Sequence, residues 1–166
     1  MNEEISYQDL YPNIRNGDLL IWSKRKFKTM RDILPFIVRS ATMSDYNHVA
    51  LAFNLHHRNG LIEAEIPFVR VMPLGKFKPF YHISMGIEWD TTKSNYLLDK
   101  LGEDYSVWQA ITGYFGNIKQ DNKWQCVELA RDFYVNQCGI DLPKDHTPSK
   151  FVENILMLDK TMKLVT

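Results

Sequence analysis

Asn47-His48-Val49-Ala50-Leu51-Ala52-Phe53 is the stretch from which the fold can be read. Large apolar residues alternate with small or polar ones, the period of a half-buried β-strand. Val49, Leu51 and Phe53 then point into the core, while His48, Ala50 and Ala52 point the other way and leave room for a helix or a cleft. Arg58-Asn59-Gly60 supplies a turn, and Leu61 to Val71 returns as a second strand with Ile62, Ala64 and Ile66 on one face. An even-length connection makes even positions on one strand meet odd positions on the other, so Glu63 and Glu65 share the face of His48. A loop running from Leu55 to Gly60 sets His48 opposite Pro67, nearer to Glu65 than to Glu63.

Outward from this hairpin, Asn16-Gly17-Asp18 is a turn signal and Leu19 to Trp22 is an apolar run that suits the first buried strand. Met30, Ile33, Leu34, Ile37 and Val38 recur at helical spacing over 27–41, interrupted by Pro35. Pro73 and Pro79 frame a loop, and Phe80 to Ile87 reads as a further strand, expected to pair antiparallel. Thr91 to Leu101 is expected to be a helix stopped by Gly102, with a short helical stretch over Val107 to Tyr114. The clearest helix has Asp121 or Asn122 as its expected cap, a buried stripe of Val127, Ala130, Phe133 and Tyr134, and Gly139 at its end. Thr147-Pro148-Ser149 opens a last helix that carries Phe151, Val152, Ile155 and Leu156. The expected class is α+β: one domain over 1–166 in which an antiparallel sheet packs against a cysteine-bearing helix.

With 45% apolar and 24% charged residues, the 166-residue chain has the composition of a globular domain large enough to fold without a metal or a disulfide. Lysine plus arginine equals aspartate plus glutamate at 20 each, which argues against nucleic acid as a partner. The basic cluster of Lys24, Arg25, Lys26, Lys28 and Arg31 reads as a solvated face. The start, Met1-Asn2-Glu3-Glu4-Ile5, lacks the pattern of a secretory signal, and no run approaches the roughly 20 apolar residues of a membrane span. The expectation is a cytoplasmic protein with no transmembrane segment.

Cys126 and Cys138 fall on one expected helix, 12 positions apart. At about 1.5 Å rise per residue they lie about 18 Å apart, beyond the roughly 7 Å reach of a disulfide. Both should be reduced thiols. Cys126 lies near the helix start, where free amides and the macrodipole favour a thiolate; Cys138 lies at the opposite end, where the same field disfavours one. A cysteine at a helix start is more often core than catalyst. A base shifts that balance: His48 could take the thiol proton, and a glutamate on its face could orient the ring. His56, His57, His82 and His146 lack zinc-ligand spacing, so neither a metal nor a cofactor is expected.

The order of motifs is similar to that of a known family. Gly17-Asp18 precedes a strand, followed by Asn47-His48-Val49-Ala50-Leu51, Leu61-Ile62-Glu63-Ala64, Pro73-Leu74, Gly102-Glu103-Asp104-Tyr105 and Trp124-Gln125-Cys126-Val127-Glu128-Leu129. This series, from about Asn16 to Phe151, resembles the circularly permuted, NlpC-type branch of the papain-like cysteine peptidases and amidases, whose relatives include the lecithin:retinol acyltransferase group. The resemblance implies Cys126 as nucleophile, His48 as general base and Glu63 as third member, with Glu65 the alternate that register favours, and a backbone amide of Cys126 in the oxyanion site. Gln125-Cys126-Val127-Glu128 departs from the retinol acyltransferase neighbourhood and points to bacterial or phage hydrolases. The implied activity is cleavage of a peptide-like amide, with a peptidoglycan stem peptide as one candidate. The alternatives are transfer or hydrolysis of a lipid acyl group, which aromatic loops at Phe77, Phe80 and Tyr81 would suit, and an inactive binding or virion module.

Overall fold

The computed structural model describes residues 3–23, 45–56, 58–106, 123–144 and 147–166. The basic cluster, the expected helix over 27–41, the expected helical stretch Val107 to Tyr114, the capping candidates Asp121 and Asn122, and His57 and His146 lie outside the described residues.

The strands are β1 (Glu3–Ile5), β2 (Leu19–Trp22), β3 (His48–Ala52), β4 (Gly60–Glu65), β5 (Phe68–Pro73), β6 (Phe80–Ile83) and β7 (Met162–Val165). The helices are α1 (Tyr7–Leu10), α2 (Thr91–Leu98), α3 (Cys126–Cys138) and α4 (Pro148–Leu156). The strands form one sheet in the order β1-β7-β6-β2-β3-β4-β5, which makes the class α+β.

The sheet is mixed, which corrects the antiparallel expectation. β1 runs parallel to β7, with Glu3 opposite Lys163 and their side chains 2.9 Å apart. Both strands escape a hydrophobic-period reading for a physical reason. β1 is a three-residue edge strand that opens with two exposed glutamates, and β7 follows the turn after α4 with only Val165 fully buried. Leu19–Trp22 is therefore the second strand rather than the first.

The segment 61–71 is two strands rather than one. Ile66 and Pro67 turn the chain, and β4 and β5 pair with Glu65 opposite Phe68 and Glu63 opposite Arg70. Gly60 opens β4 because only glycine fits there: a Cβ would sit 2.6 Å from the Phe53 carbonyl oxygen.

Both faces of the central strands are covered. On one face Val49, Leu51 and Phe53 pack with Val127, Ala130, Phe133 and Tyr134 of α3, and with Phe151, Val152 and Ile155 of α4. On the other, Ala50 and Ala52 meet Leu10, Ile14, Leu20, Trp22, Leu61, Leu74 and Phe80. The cysteine-bearing helix thus lies on the Val49 face and not on the alanine face. The alanines instead make room for a second apolar layer built from the N-terminal segment and the loop after β5. Tyr134 fastens α3 to the turn before β2 by donating its hydroxyl to the Gly17 carbonyl at 2.9 Å. α4 begins as the sequence indicates, with the Thr147 side chain accepting from the Lys150 amide and Pro148 in the first turn.

Replacing Gly60 by alanine should cost about 2 kcal/mol, the typical scale of an overpacked buried site. Urea denaturation measures it; an unchanged midpoint would show that the close approach to Phe53 is not required.

Candidate functional site

Cys126 is the first residue of α3, and His48 is the first residue of β3. α3 packs on the Val49 face of the sheet while the His48 ring lies against Trp22 on the alanine face, and the two residues meet at the end of β3. The Cys126 side chain is in hydrogen-bond range of the imidazole. The helix is capped by Gln125, whose backbone amide donates to the Glu128 carboxylate at 3.2 Å, so the cap lies closer to the cysteine than Asp121 or Asn122. With Cys126 at the first helical position, its own amide belongs to the set that has no acceptor within the helix.

The segment before the cap is anchored to the sheet edge. Gly102 and Glu103 exchange backbone hydrogen bonds with Val69 at 2.9 and 2.8 Å, Tyr105 donates to the Pro67 carbonyl, and Trp124 donates to the Asp104 carbonyl at 3.0 Å. The Trp124 indole also donates to the Glu103 carboxylate, and the Lys100 ammonium lies 4.9 Å from the Trp124 ring centroid. Gly102-Glu103-Asp104-Tyr105 is thus a strap between β5 and the residues that lead into Cys126. The motif looks distant in sequence and acts as a spacer in three dimensions.

Glu63 is the partner of His48. Its Oε2 lies 2.8 Å from His48 Nε2, and its exposure is 0% against 5% for His48 and 9% for Cys126. The ring bonds to Glu63 although strand register alone favours Glu65. The observed pairing is Leu51 opposite Ile62 and Ala52 opposite Leu61, a register two residues from the one that sets His48 opposite Pro67. Continued along β3, it would put Glu65 directly across from His48 and Glu63 across from Ala50. The imidazole instead leans back along the strand to Glu63, a diagonal contact within reach of a long side chain. With Nε2 engaged by Glu63, Nδ1 is the ring nitrogen left to face the thiol. The Trp22 indole packs against the imidazole with ring centroids 5.6 Å apart.

Burial is the largest influence on His48 and on its own lowers the pKa. Hydrogen bonds to Cys126 and Glu63, together with their charges, outweigh it and push the imidazole from 6.5 up to about 10. His48 therefore holds its proton more firmly than an ordinary imidazole.

The sequence reading missed Arg70. Its Nε and a terminal nitrogen both donate to Glu63 Oε1, at 3.0 and 2.9 Å. The signal was Pro67: a turn there places Arg70 across from Glu63, whereas an unbroken strand leaves it unassigned.

His48, Glu63 and Glu65 bring one donor atom each within 4.8 Å of one another, a spacing that could hold a metal ion. The bonding of Glu63 does not fit such a site. One carboxylate oxygen is committed to an imidazolium and the other to a guanidinium, so a cation would have to displace both.

Elsewhere, His82 Nε2 lies 2.9 Å from Asp18 Oδ2, and Asp18 also accepts from the Arg15 and Met85 amides. This buried pair ties the turn before β2 to β6 and the residues after it. Cys138 ends α3, and burial, reinforced by Asp90 and partly countered by Lys93, pushes its thiol up to about 11. Both cysteines are free thiols. Of the three aromatics expected on loops, Phe80 is buried in the second core, Phe77 packs against Trp22, and Tyr81 packs edge-on against Tyr46.

No family model matches the chain, and no curated protein matches it. Among solved structures, the crystal structure of the metalloprotein YiiX from Escherichia coli O157:H7, described as DUF1105, is similar with a TM-score of 0.54 and 17% identity, covering 78% of this chain and 69% of that one. This chain shares its fold. Among the described residues, no helix is long and apolar enough to cross a membrane.

In a Cys126→Ser variant the remaining thiol should label with iodoacetamide only as pH approaches about 11. Rapid labelling at pH 7 would show that Cys138 is not the inert thiol described above.

Proposed function

We propose that the chain is a thiol hydrolase that cleaves an amide bond through Cys126, His48 and Glu63, and that its arrangement is the permuted, NlpC-type form of the papain-like fold. One observation carries this reading: a single imidazole is hydrogen-bonded both to a fully buried carboxylate and to a thiol, and both partners raise its pKa. The chain order supports the fold assignment, because the histidine strand β3 precedes the cysteine helix α3.

The chemistry follows from these positions. The Cys126 thiolate attacks the carbonyl carbon and forms the C–S bond, and the developing oxyanion is met by the Cys126 amide at the helix start. His48 gives its Nδ1 proton to the leaving nitrogen as the C–N bond breaks, which leaves a thioester and a neutral imidazole. Water then attacks the thioester, His48 takes its proton, and the C–S bond breaks to release the acid and restore the thiolate–imidazolium pair. Glu63 holds the ring throughout and stabilises the imidazolium.

A peptide-like amide is the preferred substrate, a peptidoglycan stem peptide among the candidates. The lipid-acyl reading, with the same three residues, has less to support it: Phe80 is part of the core, and Phe77 is spent on Trp22. An inactive binding module would keep the fold but show ordinary thiol reactivity.

Alkylation of Cys126 by iodoacetamide, followed across pH in a Cys138→Ser background, tests the pair. Rapid labelling below pH 7 that disappears in His48→Ala supports it; identical profiles in the two proteins would refute it. Turnover of matched amide and acyl-ester substrates separates the two hydrolytic readings. On whichever is cleaved, Glu63→Gln should reduce turnover on the order of 100-fold, the usual scale of acid–base assistance. Glu65→Gln should have a much smaller effect, and the reverse ranking would reassign the third member to Glu65.

A further inference from the structure

We infer that Arg70 is a positioning residue of this site: its guanidinium fixes the Glu63 carboxylate and supplies the positive charge that lets Glu63 stay ionised beside His48. The inference rests on the thiol-hydrolase reading and adds a fourth member to it.

The geometry is specific. Arg70 lies directly across from Glu63 in the β4–β5 ladder. Its Nε and terminal nitrogen close on one oxygen, Oε1, at 3.0 and 2.9 Å, leaving Oε2 to His48 at 2.8 Å. One carboxylate therefore has each oxygen assigned to a different cation, and the planar guanidinium sets the plane in which Oε2 is presented to the ring. A lysine could supply charge at this position but not the two-point grip. The Glu63 side chain is 0% exposed and that of Arg70 28%, so the guanidinium spans from the buried carboxylate out to solvent.

The charges alternate along this line: Arg70 positive, Glu63 negative, His48 positive, and Cys126 negative when ionised. Among the described residues, Glu65, half-buried on β4 with a carboxylate oxygen within 4.8 Å of the His48 and Glu63 ligand atoms, and the uncharged Trp22 ring from β2 also face it. Neither offers a positive charge. Removing Arg70 leaves the buried line one positive charge short, and it must retain a proton that the wild type sheds. If Glu63 keeps it, the carboxyl no longer supports the imidazolium. If Glu63 stays ionised, its uncompensated charge opposes the thiolate. By either route the thiolate–imidazolium pair forms at higher pH.

The test is the rate of Cys126 alkylation by iodoacetamide between pH 4 and 10, in the full chain with Cys138→Ser, comparing Arg70→Gln and Arg70→Lys with their parent and with His48→Ala. Circular dichroism and thermal melting establish that each variant is folded. The acid limb of the profile should move up by about one pH unit or more in Arg70→Gln, roughly tenfold slower labelling on that limb. Arg70→Lys should recover about half of the shift. A role confined to stability would lower the melting temperature and leave the limb where it is. A folded Arg70→Gln protein whose profile overlays the parent, while His48→Ala loses the fast labelling, would overturn the role of Arg70 and leave the Cys126–His48 reading intact. Profiles that do not depend on His48 would overturn both. Should Arg70→Gln fail to fold, Glu63→Gln with Arg70→Gln removes both charges of that pair. Labelling in that double variant should match Glu63→Gln alone, and a further shift would contradict the inference.

Discussion

The Glu63 carboxylate has no contact with solvent, and an isolated charge in such a place is among the most expensive things a protein interior can hold. It is tolerated because two cations share it, one oxygen each. That constraint reaches well beyond the carboxylate. It requires β5 to lie alongside β4 in a single register, because a slip of one residue would send Arg70 to the wrong face. It favours a protonated His48, whose ring is also hydrogen-bonded to Cys126. The Glu63–Arg70 and Glu63–His48 pairs are consecutive links in one electrostatic chain that ends at Cys126.

The sheet provides what such a chain needs, which is rigidity at its ends. The strands that carry His48, Glu63 and Arg70 are adjacent in the sheet, and each residue is held by ladder hydrogen bonds on a backbone that cannot drift. The thiol comes from a different layer. α3 is clamped at its centre by Phe133 and Tyr134, the latter bonded to the Gly17 carbonyl, and at its start by the strap from Gly102 to Tyr105. The cysteine is thus placed by these anchors together with its own contacts to the core and to His48. Sites held on such elements keep their geometry better than sites on loops.

Much of this was legible in the amino-acid order. The alternation after His48 gave the strand and its two faces, the stripe ending at Gly139 gave the helix, and parity alone put Glu63 and Glu65 on the side of His48. Three features were harder to see, each for a physical reason. β1 and β7 are short pieces far apart in sequence whose pairing depends on each other, so neither has a periodic signature of its own. The β3–β4 register depends on the path of the chain from Phe53 to Gly60, where Leu55 and Arg58 form a bridge of their own and shorten the connection. Arg70 depends on a turn at Pro67 that a run of apolar residues conceals. Single residues that set turns, more than the hydrophobic pattern, decided which side chains could touch.

The central claim is that the His48 ring is a cation at neutral pH because acidic groups flank it on both sides. Nitrogen-15 NMR of the histidine side chains, assigned through His48→Gln, reads the protonation of both ring nitrogens directly. The account predicts that the His48 imidazolium signature persists through neutral pH and fades only as pH approaches about 10. A His48 ring that loses its proton near the ordinary 6.5 would contradict the account.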